Sequence, residues 1–189
     1  MKSRSGMRTG RWTLLAALTL ALPAVAQPSI ADVDLAWREG EVPPPPAWST
    51  ARMVRIDMPT YSGVMVGVDV DSVTVGAKDG VVRYVALVQG RDDAWSAYYQ
   101  GVHCKSFQGR TYARYRSDPG AQGWENVDGA WQDLKEIRSR VPRAIAQAGA
   151  CENSVAAPNT AQARRAYARN SKWGGVTFQG QSAPQAAQP

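Results

Sequence analysis

The sequence predicts an α+β fold: an antiparallel meander sheet of five to six strands, with C-terminal helical segments packed on it and one disulfide. Three observations predict it. Short valine- and tyrosine-rich runs follow Arg52, joined by connections too short for parallel crossovers. An Asp79-Gly80 pair stands between two such runs, the strongest short-range hairpin signal. After Ser117 the pattern gives way to turn residues, then to alanine- and arginine-rich stretches with helix-capping residues.

The chain opens on Lys2, Arg4, Arg8 and Arg11 with no acid among them, then the apolar run WTLLAALTLALPAV, then Ala24-Val25-Ala26. This is the pattern of a secretory signal peptide over residues 1–26, cleaved after Ala26. The apolar run falls short of the ~20 residues a helix needs to span a bilayer. No cysteine stands near the cleavage site, which excludes a lipoprotein anchor, and no later stretch reads as transmembrane. The expected location is the periplasm. Of 22 basic residues four leave with the signal and no acid does, so the net charge falls from +6 to +2. The basicity belongs to targeting, and no nucleic-acid partner is expected.

Residues 27–51 read as an acidic and proline-rich linker. They carry Asp32, Asp34, Glu39 and Glu41, then Pro43 to Pro46, which favour an extended polyproline II spacer. The folded domain is expected over 52–173, and a Gly-, Gln-, Ser-, Ala- and Pro-rich tail, expected to be disordered, over 174–189. Within the domain VMVGVDV, SVTVG, VVRYVALV, WSAYYQGVHC and FQGRTYARYRS read as strands. VVRYVALV is apolar on both faces apart from Arg83, which places it centrally with something covering each side. WENVDGAW reads as a further hairpin. RVPRAIAQAG reads as a helix with Pro142 near its first position and Gly149 just past its end. NTAQARRAYARN reads as a helix capped by Asn159 or Thr160.

The chemistry available is narrow. His103 is the only histidine and stands next to Cys104. Consecutive strand residues point to opposite faces, so these two make a poor catalytic dyad. In an oxidising compartment Cys104 and Cys151 offer the only intramolecular disulfide; an intermolecular bond or two free thiols are the alternatives. A structural zinc site needs four ligands and the chain offers three candidates, so no metal or cofactor is expected and His103 reads as a half-exposed strand residue. No nucleophile-elbow motif or P-loop lysine is present. Asp69 and Asp71 share a strand face; a solvated acidic face or a turn contact outweighs a glycosidase-like carboxylate pair or a calcium site.

No residue is assigned a catalytic role. The ligand-binding candidates are Trp95, Trp124, Arg110, Arg114 and Arg116. Most aromatics suit the core of a half-buried sheet, and the sharper reading is a stacking platform for a glycan. Residues 27–102 hold 6 basic and 10 acidic side chains, whereas 103–189 hold 12 and 6. The three arginines alternate along one strand and would form a face for an anionic envelope component.

VDVDSVTVGAKDGVVRYVALV, followed by YYQGVHC, YARY, the tryptophans Trp124 and Trp131 and the late Cys151, resembles the cryptic neisserial protein 1-like family, a group of secreted proteobacterial proteins. The resemblance runs over about 54–172 and is sharpest at Asp79-Gly80-Val81-Val82-Arg83-Tyr84. Gln100, Val102 and His103 depart from the family's pattern, His103 standing where the family has arginine. The resemblance implies an envelope location and the Cys104–Cys151 bond, and lends no activity. The expected function is a non-catalytic binding or interaction module of the cell envelope, its partner a protein, a glycan or a lipid. The alternative is a small carboxylate-dependent hydrolase or carbohydrate-active enzyme. An enzyme should show converging carboxylates with raised pKa values in a cleft; a binding module should show an exposed aromatic or apolar patch.

Overall fold

The computed structural model describes residues 37–58, 63–90 and 93–170. The expected signal peptide and the 174–189 tail lie outside the described residues. Six strands run as an antiparallel meander in chain order: β1 (Met53–Ile56), β2 (Met65–Val75), β3 (Val82–Gln89), β4 (Trp95–His103), β5 (Gln108–Arg116) and β6 (Gly123–Asn126). A short β7 (Gln132–Asp133) also pairs with β5. Downstream come helix α1 (Val141–Ile145), continued by a wide π turn over Ala146–Ala150, a small ladder of β8 (Cys151–Glu152) and β9 (Val155–Ala156), and helix α2 (Thr160–Asn170).

VMVGVDV and SVTVG, read as two strands, form the single β2, with a bulge between Asp69 and Thr74 where the register against β3 shifts. The Asp79-Gly80 turn closes the β2–β3 hairpin. Gly80 adopts φ +67°, a conformation open to glycine without strain. The Asp79 carboxylate accepts the Val81 amide at 3.1 Å, which fixes the turn from within. The two tryptophan segments of WENVDGAW do not pair with each other. Both lie along β5, Arg114 opposite Glu125 and Gln108 opposite Asp133, as one edge strand interrupted by a loop.

The sheet is buried on both faces, as the apolar run of β3 requires. On one face Val66, Val68, Val82, Tyr84 and Val102 pack against Leu134, Ile145, Ala146, Ala163 and Tyr167 from the C-terminal segments. The disulfide Cys104–Cys151 ties the end of β4 to this layer, closing a sequence separation of 47 residues. Asn159 caps α2 by accepting the Gln162 amide at 3.0 Å, and the Thr160 hydroxyl accepts the Val75 amide, fastening the helix start to the end of β2.

Gly149, expected just past a helix end, sits instead inside the π turn, where a Cβ would come within 2.5 Å of the Tyr167 ring. The glycine is needed for close approach, not for a cap. Gly149→Ala should therefore destabilise by about 1–3 kcal/mol through overpacking, read as a lower denaturation midpoint at unchanged slope.

The opposite face is covered by residues 37–48, the stretch expected to be a linker. This segment has no regular structure, but Val42 and Trp48 pack on Met53, Val85, Leu87, Tyr99, Tyr112 and Ala113. The layer that covers the second face thus includes chain ahead of Arg52, the expected domain boundary. Proline and acidic content gave no sign of it, because its attachments are to residues far along the chain.

Candidate functional site

The covered face carries a buried polar cluster. Arg83 projects from the central strand β3 and is 3% exposed. Such a burial is tolerated only where the charge is paired. Asp79, four residues earlier, accepts from its Nη2 at 2.6 Å, and Glu39 of the 37–48 segment accepts from the same nitrogen at 3.2 Å. Glu39 is a hub. One of its oxygens also accepts the Tyr112 hydroxyl at 2.5 Å; the other accepts Arg110 Nη1 at 2.9 Å and the Trp131 indole N–H at 3.1 Å. The Trp37 ring stacks on the His103 ring with centroids 4.2 Å apart, and its indole donates to the Asp79 carbonyl.

The electrostatics are those of a structural network. Burial alone would raise the Asp79 pKa, but hydrogen bonds from Arg83 and from the Val81 and Gly40 amides outweigh it, and the net shift is downward. Burial and the hydrogen bond to Glu39 push the Tyr112 hydroxyl well above its ordinary range. Glu125, against Arg114, is also held below its usual value.

The sequence-level candidates scatter. Arg110, Arg114 and Arg116 do not share a face, because a bulge in β5 at Tyr112 reverses the alternation: Arg110 pairs with Gly101, whereas Arg114 pairs with Tyr98. Arg110 is bound to Glu39. Arg114 and Arg116 lie on the other face, bonded to Glu125 at 2.7 Å and Asp118 at 3.1 Å. Trp124 lies half-buried under the 37–48 segment, donating its indole N–H to the Pro46 carbonyl, and Trp95 packs at the border of the same cluster. The Trp124 ring is thus committed to contacts within the fold. His103 is 7% exposed, not half-exposed, with Nδ1 2.8 Å from the Ser106 hydroxyl. Cys104 points the opposite way, into the disulfide. Asp69 is fully buried and Asp71 exposed; both bond Arg52, and Asp69 also accepts the Ser49 and Asp71 amides, which makes this pair a turn contact.

A second concentration of positive charge lies elsewhere. The segment from Leu134 to Ala144, leading into α1, borders a cleft of about 550 Å³ together with Met58 and Gln147. Lys135, Arg138, Arg140 and Arg143 line it, and Leu134, Ile137, Met58 and Ala144 supply its apolar lining. Arg143 is fixed by donating Nε to the Leu134 carbonyl at 2.9 Å. Lys135 stands 6.0 Å from the Phe107 ring centroid. LKEIRSRVPRA holds four cations against the single acid Glu136. Four cations within nine residues form a visible signal in the sequence, but only the fold places them around one cleft. No group of three or more metal-ligating side chains occurs among the described residues.

The family model described as CNP1-like matches residues 32–183. Neither a curated protein nor a solved structure matches the chain.

Proposed function

The chain belongs to the CNP1-like family, and from that premise we propose a periplasmic, non-catalytic binding module that takes an anionic phospholipid of the cell envelope. The observation that carries this reading is the cleft at Leu134–Ala144, where four cations surround an apolar lining. Such a site suits an amphiphile: a phosphate meets the guanidinium and ammonium groups, and the start of an acyl chain meets Met58, Leu134 and Ile137. Its volume lies within the ~300–1,000 Å³ usual for small-ligand sites. Three further features support the location and the absence of a reaction. The signal-like segment ahead of Gln27 fits export, and the disulfide fits an oxidising compartment. The buried carboxylates Asp69 and Asp79 and the partly buried Glu39 are each committed to arginine pairs within the fold.

Flotation with vesicles tests the proposal. The purified chain should rise with phosphatidylglycerol vesicles and stay behind with phosphatidylcholine vesicles. Lys135→Gln combined with Arg138→Gln, both at exposed positions, should weaken binding by about 2 kcal/mol, roughly thirtyfold, at ~1 kcal/mol per cation near an anionic surface. Equal binding to both vesicle types, or an unchanged affinity in the double variant, would contradict it.

A further inference from the structure

A second cavity adjoins the cationic cleft. It holds about 210 Å³ and lies between the sheet and the C-terminal layer, toward β5. Its floor is one cross-strand row: Tyr84 on β3 stands opposite Gln100 on β4, which stands opposite Thr111 on β5. Gln132 borders it, and Leu134 and Ile137 close it from the C-terminal side. Leu134 and Ile137 also line the cationic cleft, so the same pair of side chains borders both cavities.

The chemistry of this pocket differs from that of its neighbour. Gln100 Nε2 donates to the Thr111 hydroxyl at 3.0 Å, which leaves the hydroxyl proton for another acceptor. Gln100 Oε1 is buried with no hydrogen-bond partner among the described residues. An unpaired buried oxygen carries a free-energy cost that a donating group recovers. Among the described residues that line the pocket there is no acid, and the one cation, Arg110, is bound to Glu39. An ammonium group therefore finds no counter-charge here. A hydroxyl finds an acceptor in Gln100 and a donor in Thr111, and because these two are joined by one hydrogen bond, neighbouring hydroxyls of one molecule can address both.

We propose that this pocket takes the hydroxylated headgroup of the anionic phospholipid whose phosphate lies among Lys135, Arg138, Arg140 and Arg143. The inference rests on the lipid reading of the cationic cleft and adds the group that selects among anionic lipids. The phosphate stays with the cations, and a glycerol headgroup reaches past Ile137 to Gln100 and Thr111. At roughly 30 Å³ per water the pocket has room for about seven waters, or for one glycerol group.

Two lipids with the same phosphodiester charge test this. The unmodified chain is floated with vesicles that contain phosphatidylglycerol or phosphatidylmethanol, with the same acyl chains and at the same molar fraction in phosphatidylcholine. Only the first lipid carries headgroup hydroxyls. Phosphatidylglycerol should bind roughly tenfold more tightly, the effect of one or two net hydrogen bonds. Gln100→Met keeps the length of the side chain and removes its amide, and should lower phosphatidylglycerol affinity to the phosphatidylmethanol level. Equal affinity of the unmodified chain for the two lipids, both above phosphatidylcholine alone, would overturn the headgroup pocket and leave the cationic cleft standing. Binding to neither above phosphatidylcholine would overturn both. A folded Gln100→Met chain that keeps the full preference would also overturn the pocket, and if that variant does not fold, the two-lipid comparison on the unmodified chain decides.

Discussion

Glu39→Ala should destabilise the fold by about 3–5 kcal/mol, the usual effect of removing one partner from a buried ion pair. The physical reason is what remains. Arg83, 3% exposed, keeps Asp79 but loses Glu39, and the Tyr112 hydroxyl and Trp131 indole lose their acceptor inside the fold. Leaving buried donors unpaired adds to the electrostatic loss. Glu39→Gln should do less harm, because its amide oxygen can still accept from one or two of the four donors. Urea denaturation followed by tryptophan fluorescence measures both, Trp37 and Trp131 lying in edge contact beside Glu39. A loss below about 1 kcal/mol for Glu39→Ala would mean that water replaces the carboxylate and that the 37–48 segment is only loosely seated.

Loss of the disulfide should have an effect of similar size by a different route. Opening a loop of 47 residues releases the unfolded chain and should cost about 4 kcal/mol in the chain-entropy account. That is a large share of the ~5–15 kcal/mol by which domains are stable. The bond joins the end of β4 to the turn before α2, across the layer that holds Ile145, Ala150 and Tyr167. Unfolding in urea with and without reductant gives the difference, and the Cys104→Ala, Cys151→Ala variant removes any question of thiol exchange. Stability unchanged by reduction would place the two cysteines in a region that opens independently of the sheet.

Much of the architecture was legible in the residues because its causes are local. The meander follows from short β-rich runs with short connections, and the Asp79-Gly80 turn from a glycine at φ +67° capped by its neighbouring aspartate. Asn159 announces α2 by its place ahead of TAQARR. What escaped has distant causes. Glu39 reaches Arg110 and Trp131 across separations of 71 and 92 residues, so nothing in EGEVPPPP marks it as the cover of a sheet. The arginine row on β5 failed for a subtler reason. Strand alternation places Arg110, Arg114 and Arg116 on one face, and the inserted residue at Tyr112 turns Arg110 to the other. Gly149 shows the same limit: a glycine near a helix end reads as a cap, whereas its reason here is the ring of Tyr167.

The candidate site was half legible. The excess of positive charge in the second half of the chain directed attention to cations. The chosen arginines proved to be paired, while the cations of LKEIRSRVPRA were not singled out. Glu39, Glu125 and Asp118 engage the β5 arginines, whereas the cations of LKEIRSRVPRA are gathered by the fold around one cleft.

The most direct test of the binding proposal is a chemical-shift map. The 15N-labelled chain is titrated with short-chain phosphatidylglycerol below its micellar concentration, at low and at near-physiological salt. The account predicts saturable shifts at Lys135, Ile137, Arg138, Ala144 and Met58, weakening as salt screens the attraction. Shifts clustered on another face, or a spectrum that does not change at saturating lipid, would contradict it.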